Sequence, residues 1–297
     1  MGRMSVKAST KFLDPRHRPI AVFDSGLGGL TVVRQILALM PGEDVVYLGD
    51  SARVPYGTKS PSTIREFALQ DARFLMGFSP KAMVVACNTA SAVALPVLRQ
   101  RVERGDGTRG RCKVIGVVVP AAQEAVRRAA GRTIGVIGTE ATIASGAYQN
   151  SIARQDGSSK VLSAAAPLLV PIVEEGRGEQ DPIVLHVLSD YLREMQRARP
   201  AVLILGCTHY PLLSRAIGKL MGPDTQLLDP GVATAVQLRD YLRQAGLLSP
   251  RRHGRLRCFS TDNAMRFARL AQRFLGRPVG RVKWVGTDEL AAQGENS

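Results

Sequence analysis

Few cysteines and few aromatics set the first limits on this chain. There are 4 cysteines in 297 residues, and no two of them form a Cys-x-x-Cys pair. That argues against a disulfide scaffold, a zinc ribbon and a thioredoxin-like redox motif. Aromatic residues make up 5% of the chain, with a single tryptophan, and none is interleaved with the basic clusters as a stacking nucleic-acid surface requires. No apolar run approaches the roughly 18–20 residues of a membrane span. The first 19 residues are basic but lack the apolar core of a secretory signal. A soluble, cytoplasmic protein with no membrane partner is therefore expected. Mean hydropathy near zero and 45% hydrophobic residues are those of an ordinary globular chain, long enough for two domains.

What is abundant is positive charge, +15 overall, gathered at 99–113, 127–128 and 251–257. Such a surface attracts anions, from small carboxylates to nucleic acid. With no nucleic-acid motif beside it, a solvated basic surface is the expectation.

Short apolar runs alternate with helical patterns. The runs at 20–23, 44–48, 82–86, 114–118, 133–137, 168–171, 201–205 and 226–228 read as strands, with a further pair at 256–260 and 282–285. Helical spacing is visible at 31–39, 62–77, 121–130, 181–197 and 233–245. This alternation predicts βαβ units and parallel sheets. Ile-Ala-Val-Phe-Asp-Ser from Ile20 resembles Ile-Gly-Val-Ile-Gly-Thr from Ile134, and the settings of Cys87 and Cys207 repeat at nearly the same offset. Two related halves follow: a basic tail (1–18), a first α/β domain (19–112), a second (113–224), a returning segment that completes the first (225–285), and a C-terminal tail (286–297). The Arg/Gly-rich stretch 99–111 reads as an exposed linker.

The chemistry concentrates at strand ends. Residues 82–90 read Ala-Met-Val-Val-Ala-Cys-Asn-Thr-Ala, and residues 201–211 read Ala-Val-Leu-Ile-Leu-Gly-Cys-Thr-His-Tyr-Pro. Each cysteine ends a buried-strand pattern and is followed by small polar residues. In open α/β sheets ligands sit beyond the carboxyl ends of strands, so Cys87 and Cys207 could face one another across a cleft. A thiolate at a helix start gains from the helix dipole. Asn88, Thr89 and Thr208 can donate hydrogen bonds to a carboxylate, and His209 can move a proton. A metal site built on Cys207 and His209 lacks a ligand set. Cys112 and Cys258 read as small buried hydrophobes.

Three further segments complete the candidate site. Residues 23–31, Phe-Asp-Ser-Gly-Leu-Gly-Gly-Leu-Thr, are a strand, a glycine-rich turn and a helix start, with Asp24 at the strand tip. The turn lacks the third glycine of a dinucleotide fingerprint and the Gly-Lys-Ser/Thr of a phosphate loop. Residues 50–59 form a loop carrying Pro55, Tyr56 and Gly57. Residues 167–176 end in Glu174 and Glu175.

Taken together, Phe-Asp-Ser-Gly-Leu-Gly-Gly-Leu-Thr-Val, Pro-Tyr-Gly, Cys-Asn-Thr-Ala and Gly-Cys-Thr-His-Tyr-Pro-Leu resemble the glutamate racemases of the aspartate/glutamate racemase family. The resemblance runs from about residue 20 to 275. It implies two pseudo-symmetric α/β domains with the site between them and no cofactor. It implies Cys87 as the base toward D-glutamate and Cys207 as the base toward L-glutamate, with Asp24, His209 and Glu174 assisting. Asp24, Ser25, Pro55, Tyr56, Gly57, Asn88, Thr89, Thr139, Thr208 and His209 match substrate-binding positions. Ala166-Pro167 departs from the Cys-Pro of many members. The resemblance further implies a homodimer and a supply of D-glutamate for peptidoglycan. Two alternatives accompany it: a racemase acting on aspartate or another acidic amino acid, and an additional contact of the basic surface with nucleic acid or gyrase.

Overall fold

The computed structural model describes residues 14–104 and 112–292. The chain opens with β1 (Ile20–Asp24), α1 (Leu30–Leu39), β2 (Val45–Gly49), α2 (Pro61–Met76), β3 (Ala82–Val85), α3 (Asn88–Leu98) and β4 (Lys113–Gly116). It continues through α4 (Val118–Ala129), β5 (Ile134–Gly138), α5 (Glu140–Ala144), α6 (Ala147–Ala153), β6 (Val161–Ala165), α7 (Leu169–Glu174) and α8 (Pro182–Ala198). Then come β7 (Val202–Gly206), α9 (Ser214–Met221), β8 (Gln226–Leu228), α10 (Pro230–Gln244), β9 (Leu256–Ser260), α11 (Ala264–Leu275), β10 (Val282–Trp284) and α12 (Thr287–Ala292).

All pairings are parallel and fall into two sheets, ordered β10-β9-β2-β1-β3-β4 and β6-β5-β7-β8. Strands β1, β2, β3, β5 and β7 are buried at every residue, as expected where helices cover both faces of a parallel sheet. That is why they read in sequence as unbroken apolar runs.

The two orders share one pattern. In the first sheet the chain steps from β1 to β2 on one side, then crosses to β3 on the other. In the second it steps from β5 to β6, then crosses to β7. Each sheet therefore has a topological switch point, where two neighbouring strands send their connections in opposite directions and leave a crevice at their carboxyl ends. Asp24 and Cys87 stand at one switch point, Thr139 and Cys207 at the other. The repeat read from sequence coincides with this matching order.

Several expectations change. The run 168–171 is not a strand but the start of α7. The strand is β6, whose Ser and Ala residues are only half-buried and so carry little apolar signal. Leu169, Val170, Ile172 and Val173 bury one helical face, and that spacing mimics a continuous run. Lys113–Gly116, expected to open the second half, pairs with β3 in the first sheet, and Gln226–Leu228 pairs with β7 in the second. The stretch expected as a C-terminal tail begins with α12, whose Leu290 is fully buried. In the expected linker, α3 runs on through a wide π-type turn to Glu103, and 105–111 lie outside the described residues. Of the expected basic tail, 1–13 also lie outside them. Residues 15–17 form a short turn, and the ammonium of Lys81 grips the Arg16 carbonyl at 2.8 Å and the Leu247 carbonyl at 2.9 Å while pairing with Glu43.

No helix among the described residues is long and apolar enough to cross a membrane. In the basic clusters, Arg127 and Arg128 both bind Glu124, and Arg251 binds Asp44 at 2.8 Å. These cations are answered within the chain, as on a solvated surface. Nothing among the described residues favours the nucleic-acid alternative.

Candidate active site

The first switch point is built on Asp24 and Cys87. Asp24 ends β1 and is fully buried, accepting a 3.0 Å hydrogen bond from the Gly26 N–H. Burial pushes its carboxyl above the ordinary value, with the nearby His209 charge opposing. Cys87 caps α3, its sulfur accepting from the Ala90 N–H at 3.4 Å and lying 3.7 Å from the Ser25 hydroxyl. Burial, and then the negative charge of Asp24, push the Cys87 thiol up to about 12, against the pull of the Ala90 N–H. Cys87 therefore rests as a protonated thiol at neutral pH.

The second switch point is chemically different. Cys207 does not cap an α-helix. A short 3₁₀ turn at Tyr210–Leu213 follows it, so the expected helix-dipole support is replaced by a side chain. The Cys207 sulfur lies 3.8 Å from Nδ1 of His209, whose Nε2 donates to Oε1 of Glu174 at 3.0 Å. The His209 ring also meets Phe274 edge-on, with ring centres 5.2 Å apart. Burial opposes a charge on His209, but its bonds to Cys207 and Glu174 outweigh that and raise it to about 10. Glu174, expected at a strand end, reaches this position from the end of α7.

The two points touch. The Thr208 hydroxyl lies 3.5 Å from Asp24 Oδ1 and 3.5 Å from His209 Nδ1. The Thr31 hydroxyl donates to the Thr208 carbonyl at 3.1 Å. Gly28 makes this approach possible, because a methyl group there would sit 2.1 Å from the Thr208 hydroxyl oxygen and 2.7 Å from His209 Nδ1. Polar groups thus link Asp24 through Thr208 and His209 to Cys207, while Ser25, next to Asp24 in the chain, lies beside Cys87.

A second contact closes the other side. The hydroxyls of Thr89, Thr139 and Thr142 form a triangle with edges of 2.9, 3.2 and 2.9 Å. The Gly57 backbone packs directly on Thr139, since a methyl group at Gly57 would lie 2.7 Å from the Thr139 Cβ. Pro55, joined to Val54 by a cis peptide, precedes this turn. Tyr56 belongs to the same loop, but its side chain points into the first domain. Its hydroxyl lies within hydrogen-bonding reach of Asp50 and, at 2.9 Å, of Asp71, while Arg53 pairs with both carboxylates at 2.7 and 3.1 Å. Tyr56 is fully buried, and this network engages its hydroxyl within the first domain. Asn88 is buried, and its Oδ1 accepts from the Tyr148 hydroxyl at 2.6 Å. Thr142, Tyr148, Thr31 and Phe274 were not anticipated. Only the helical N-cap spacing from Thr139 to Thr142 marks any of them in the sequence. Cys112 and Cys258 are buried among apolar residues, as expected.

Two parallel-sheet halves thus each bring a thiol to one polar seam. A family model described as Asp/Glu/Hydantoin racemase matches residues 25–238. A glutamate racemase from Geobacter metallireducens is 42% identical over 273 residues, covering 91% of this chain and 97% of that one. A glutamate racemase isoform from Bacillus anthracis superposes with a TM-score of 0.85 at 37% identity, covering 91% of this chain and 98% of that one. The glutamate racemase from Francisella tularensis, solved in complex with D-glutamate, gives 0.83 at 36% identity, covering 92% and 99%. The chain belongs to the Asp/Glu/Hydantoin racemase family, among its glutamate racemases.

Proposed function

We propose that this protein interconverts L- and D-glutamate by two-base proton transfer at Cα, with Cys87 and Cys207 on opposite faces of the substrate. The observation that carries the reading is the position of the two thiols at matching switch points of two sheets joined by the Asp24–Thr208 contact. Toward D-glutamate, Cys207 as thiolate takes the Cα proton of L-glutamate. The electron pair left on carbon delocalises into the adjacent carboxylate. The Cys87 thiol then delivers its own proton to the opposite face, ending as thiolate. The reverse reaction exchanges the roles. A Cys87 that rests protonated suits it to be the donor in the first direction.

His209, braced by Glu174, stands beside Cys207 to balance charge as the sulfur gains and loses its proton. Asp24 acts near Cys87 in the opposite sense, disfavouring charge on that sulfur and holding it as the thiol that donates. Thr89, Thr139, Thr208 and Ser25, with the backbone of Tyr56 and Gly57, supply hydrogen bonds to the carboxylates and hold charge as it develops, and Asn88 holds a carboxylate alike in the ground state and the transition state. The names of the curated relatives at about this identity favour glutamate over aspartate. D-Glutamate made this way would serve peptidoglycan synthesis. A homodimer also belongs to this reading, and sedimentation at micromolar concentration tests it.

The decisive test follows the circular-dichroism signal of L-glutamate in D₂O without added cofactor. Loss of signal with one deuterium incorporated at Cα is expected. A folded enzyme that leaves glutamate unchanged while racemising aspartate refutes the substrate. Wild-type turnover by Cys87→Ser refutes the two-thiol mechanism.

A further inference from the structure

Tyr148 stands between the two cysteine-bearing strand ends. It lies on α6, in the second half of the chain, and is buried in the cluster that includes Val136 and Ile204. Its hydroxyl donates to Oδ1 of Asn88 at 2.6 Å, and Asn88 directly follows Cys87 in the first half. Its ring edge rests on Gly206, where a methyl group would come within 3.2 Å of Cε2, and Gly206 directly precedes Cys207. One rigid side chain therefore touches the neighbour of each thiol.

A buried tyrosine hydroxyl needs a partner, and many find one on a main-chain carbonyl. This one reaches across the halves to a side-chain amide. An amide group is planar, with its oxygen and nitrogen on opposite sides. Engaging Oδ1 therefore fixes the plane and holds the two Nδ2 donors in one direction. We infer that Tyr148 is a positioning residue: it aims the Asn88 amide at the substrate and sets the spacing between the Cys87 and Cys207 strand ends. This inference rests on the racemase reading above.

The experiment compares wild type, Tyr148→Phe, Asn88→Ala and the double variant, with kcat and KM measured from both enantiomers and the melting midpoint recorded for each. Because Asn88 would hold substrate in the ground state and the transition state alike, its misorientation should raise KM more than it lowers kcat. A rise in KM of about tenfold, with kcat changed less than about threefold, is expected for Tyr148→Phe, as for a lost buried hydrogen bond. In the Asn88→Ala background the same substitution should cost less than about twofold, because there is no amide left to orient.

An unchanged KM in Tyr148→Phe, or the full effect repeated in Asn88→Ala, overturns the inference while leaving the racemase reading standing. A wild type inert toward glutamate overturns both. Should Tyr148→Phe fail to fold, the side-chain amide resonances of Asn88 in the wild type decide: distinct, exchange-protected Nδ2 protons are expected, and a rapidly exchanging amide overturns the inference.

Discussion

Replacing Glu174 by Gln isolates the charge behind His209. The Gln carbonyl still accepts from Nε2–H, so the 3.0 Å hydrogen bond survives while the carboxylate charge is lost. Charge-assisted hydrogen bonds contribute about 1.5–3 kcal/mol and neutral ones about 1 kcal/mol. Glu174 is one-quarter exposed, so the lower part of that difference applies. At about 1.36 kcal/mol per pH unit, His209 should titrate about half a pH unit lower in the variant. The direction of the stability effect follows from linkage. His209 is raised from 6.5 in the unfolded chain to about 10 in the folded one. Its contribution to stability is therefore fully present below pH 6.5 and is lost as pH rises toward 10. In Glu174→Gln that loss should be complete about half a pH unit earlier. NMR titration of the His209 ring, with urea midpoints measured across the same pH range, gives both readings. A wild-type His209 that titrates near 6.5, or a variant indistinguishable from wild type, refutes the reasoning.

Alkylation of Cys87 by iodoacetamide, followed by peptide mass spectrometry, should be slow at pH 7 and climb steadily above pH 9, because burial and Asp24 hold it as a thiol; rapid modification at pH 7 contradicts this. Gly28→Ala places a methyl group 2.1 Å from the Thr208 hydroxyl oxygen, so it should cost about 1–3 kcal/mol of stability and reduce turnover at least a hundredfold by separating the halves; near-normal turnover contradicts the close approach. Arg53→Ala leaves Asp50 and Asp71 buried without their cation, which should cost about 3–5 kcal/mol at pH 7. Because burial and Asp50 raise Asp71 well above the usual carboxylate range, that cost should shrink as pH falls and Asp71 takes up a proton. A loss below about 1 kcal/mol at pH 7 argues against the network.

The legible part of this molecule is the part whose signal is local. Buried parallel strands carry unbroken apolar runs, and the polar residues that follow Phe23, Ala86 and Gly206 mark their carboxyl ends, so Asp24, Cys87, Cys207 and His209 could be grouped from sequence. The matching repeat even anticipates the shared strand order. The illegible part depends on how the two sheets pack. Nothing around Tyr148 or Thr142 announces a partner in the other half, and their partners lie 60 and 53 positions away. Pro-Tyr-Gly points to Tyr56, yet Asp50 and Asp71, themselves paired with Arg53, claim its hydroxyl from within the first domain. The strand misplaced at 168–171 shows the same limit at short range, where a four-residue apolar run cannot separate a buried helical turn from a strand.

The shared strand order has a stereochemical consequence. A chain of L-residues cannot contain a mirror plane, so it cannot offer mirror-image walls to a pair of enantiomers. The nearest it can come is rotation: two like halves turned toward each other, each placing the same kind of group on its own side of one carbon. What such an arrangement cannot equalise is the surroundings of those groups. Here one thiol caps a helix beside a carboxyl, and the other sits beside an imidazole braced by a glutamate. For an enzyme whose substrate and product are enantiomers, kcat/KM must be the same in both directions. Under the racemase reading, these unequal surroundings act only on how that ratio divides between kcat and KM for each hand.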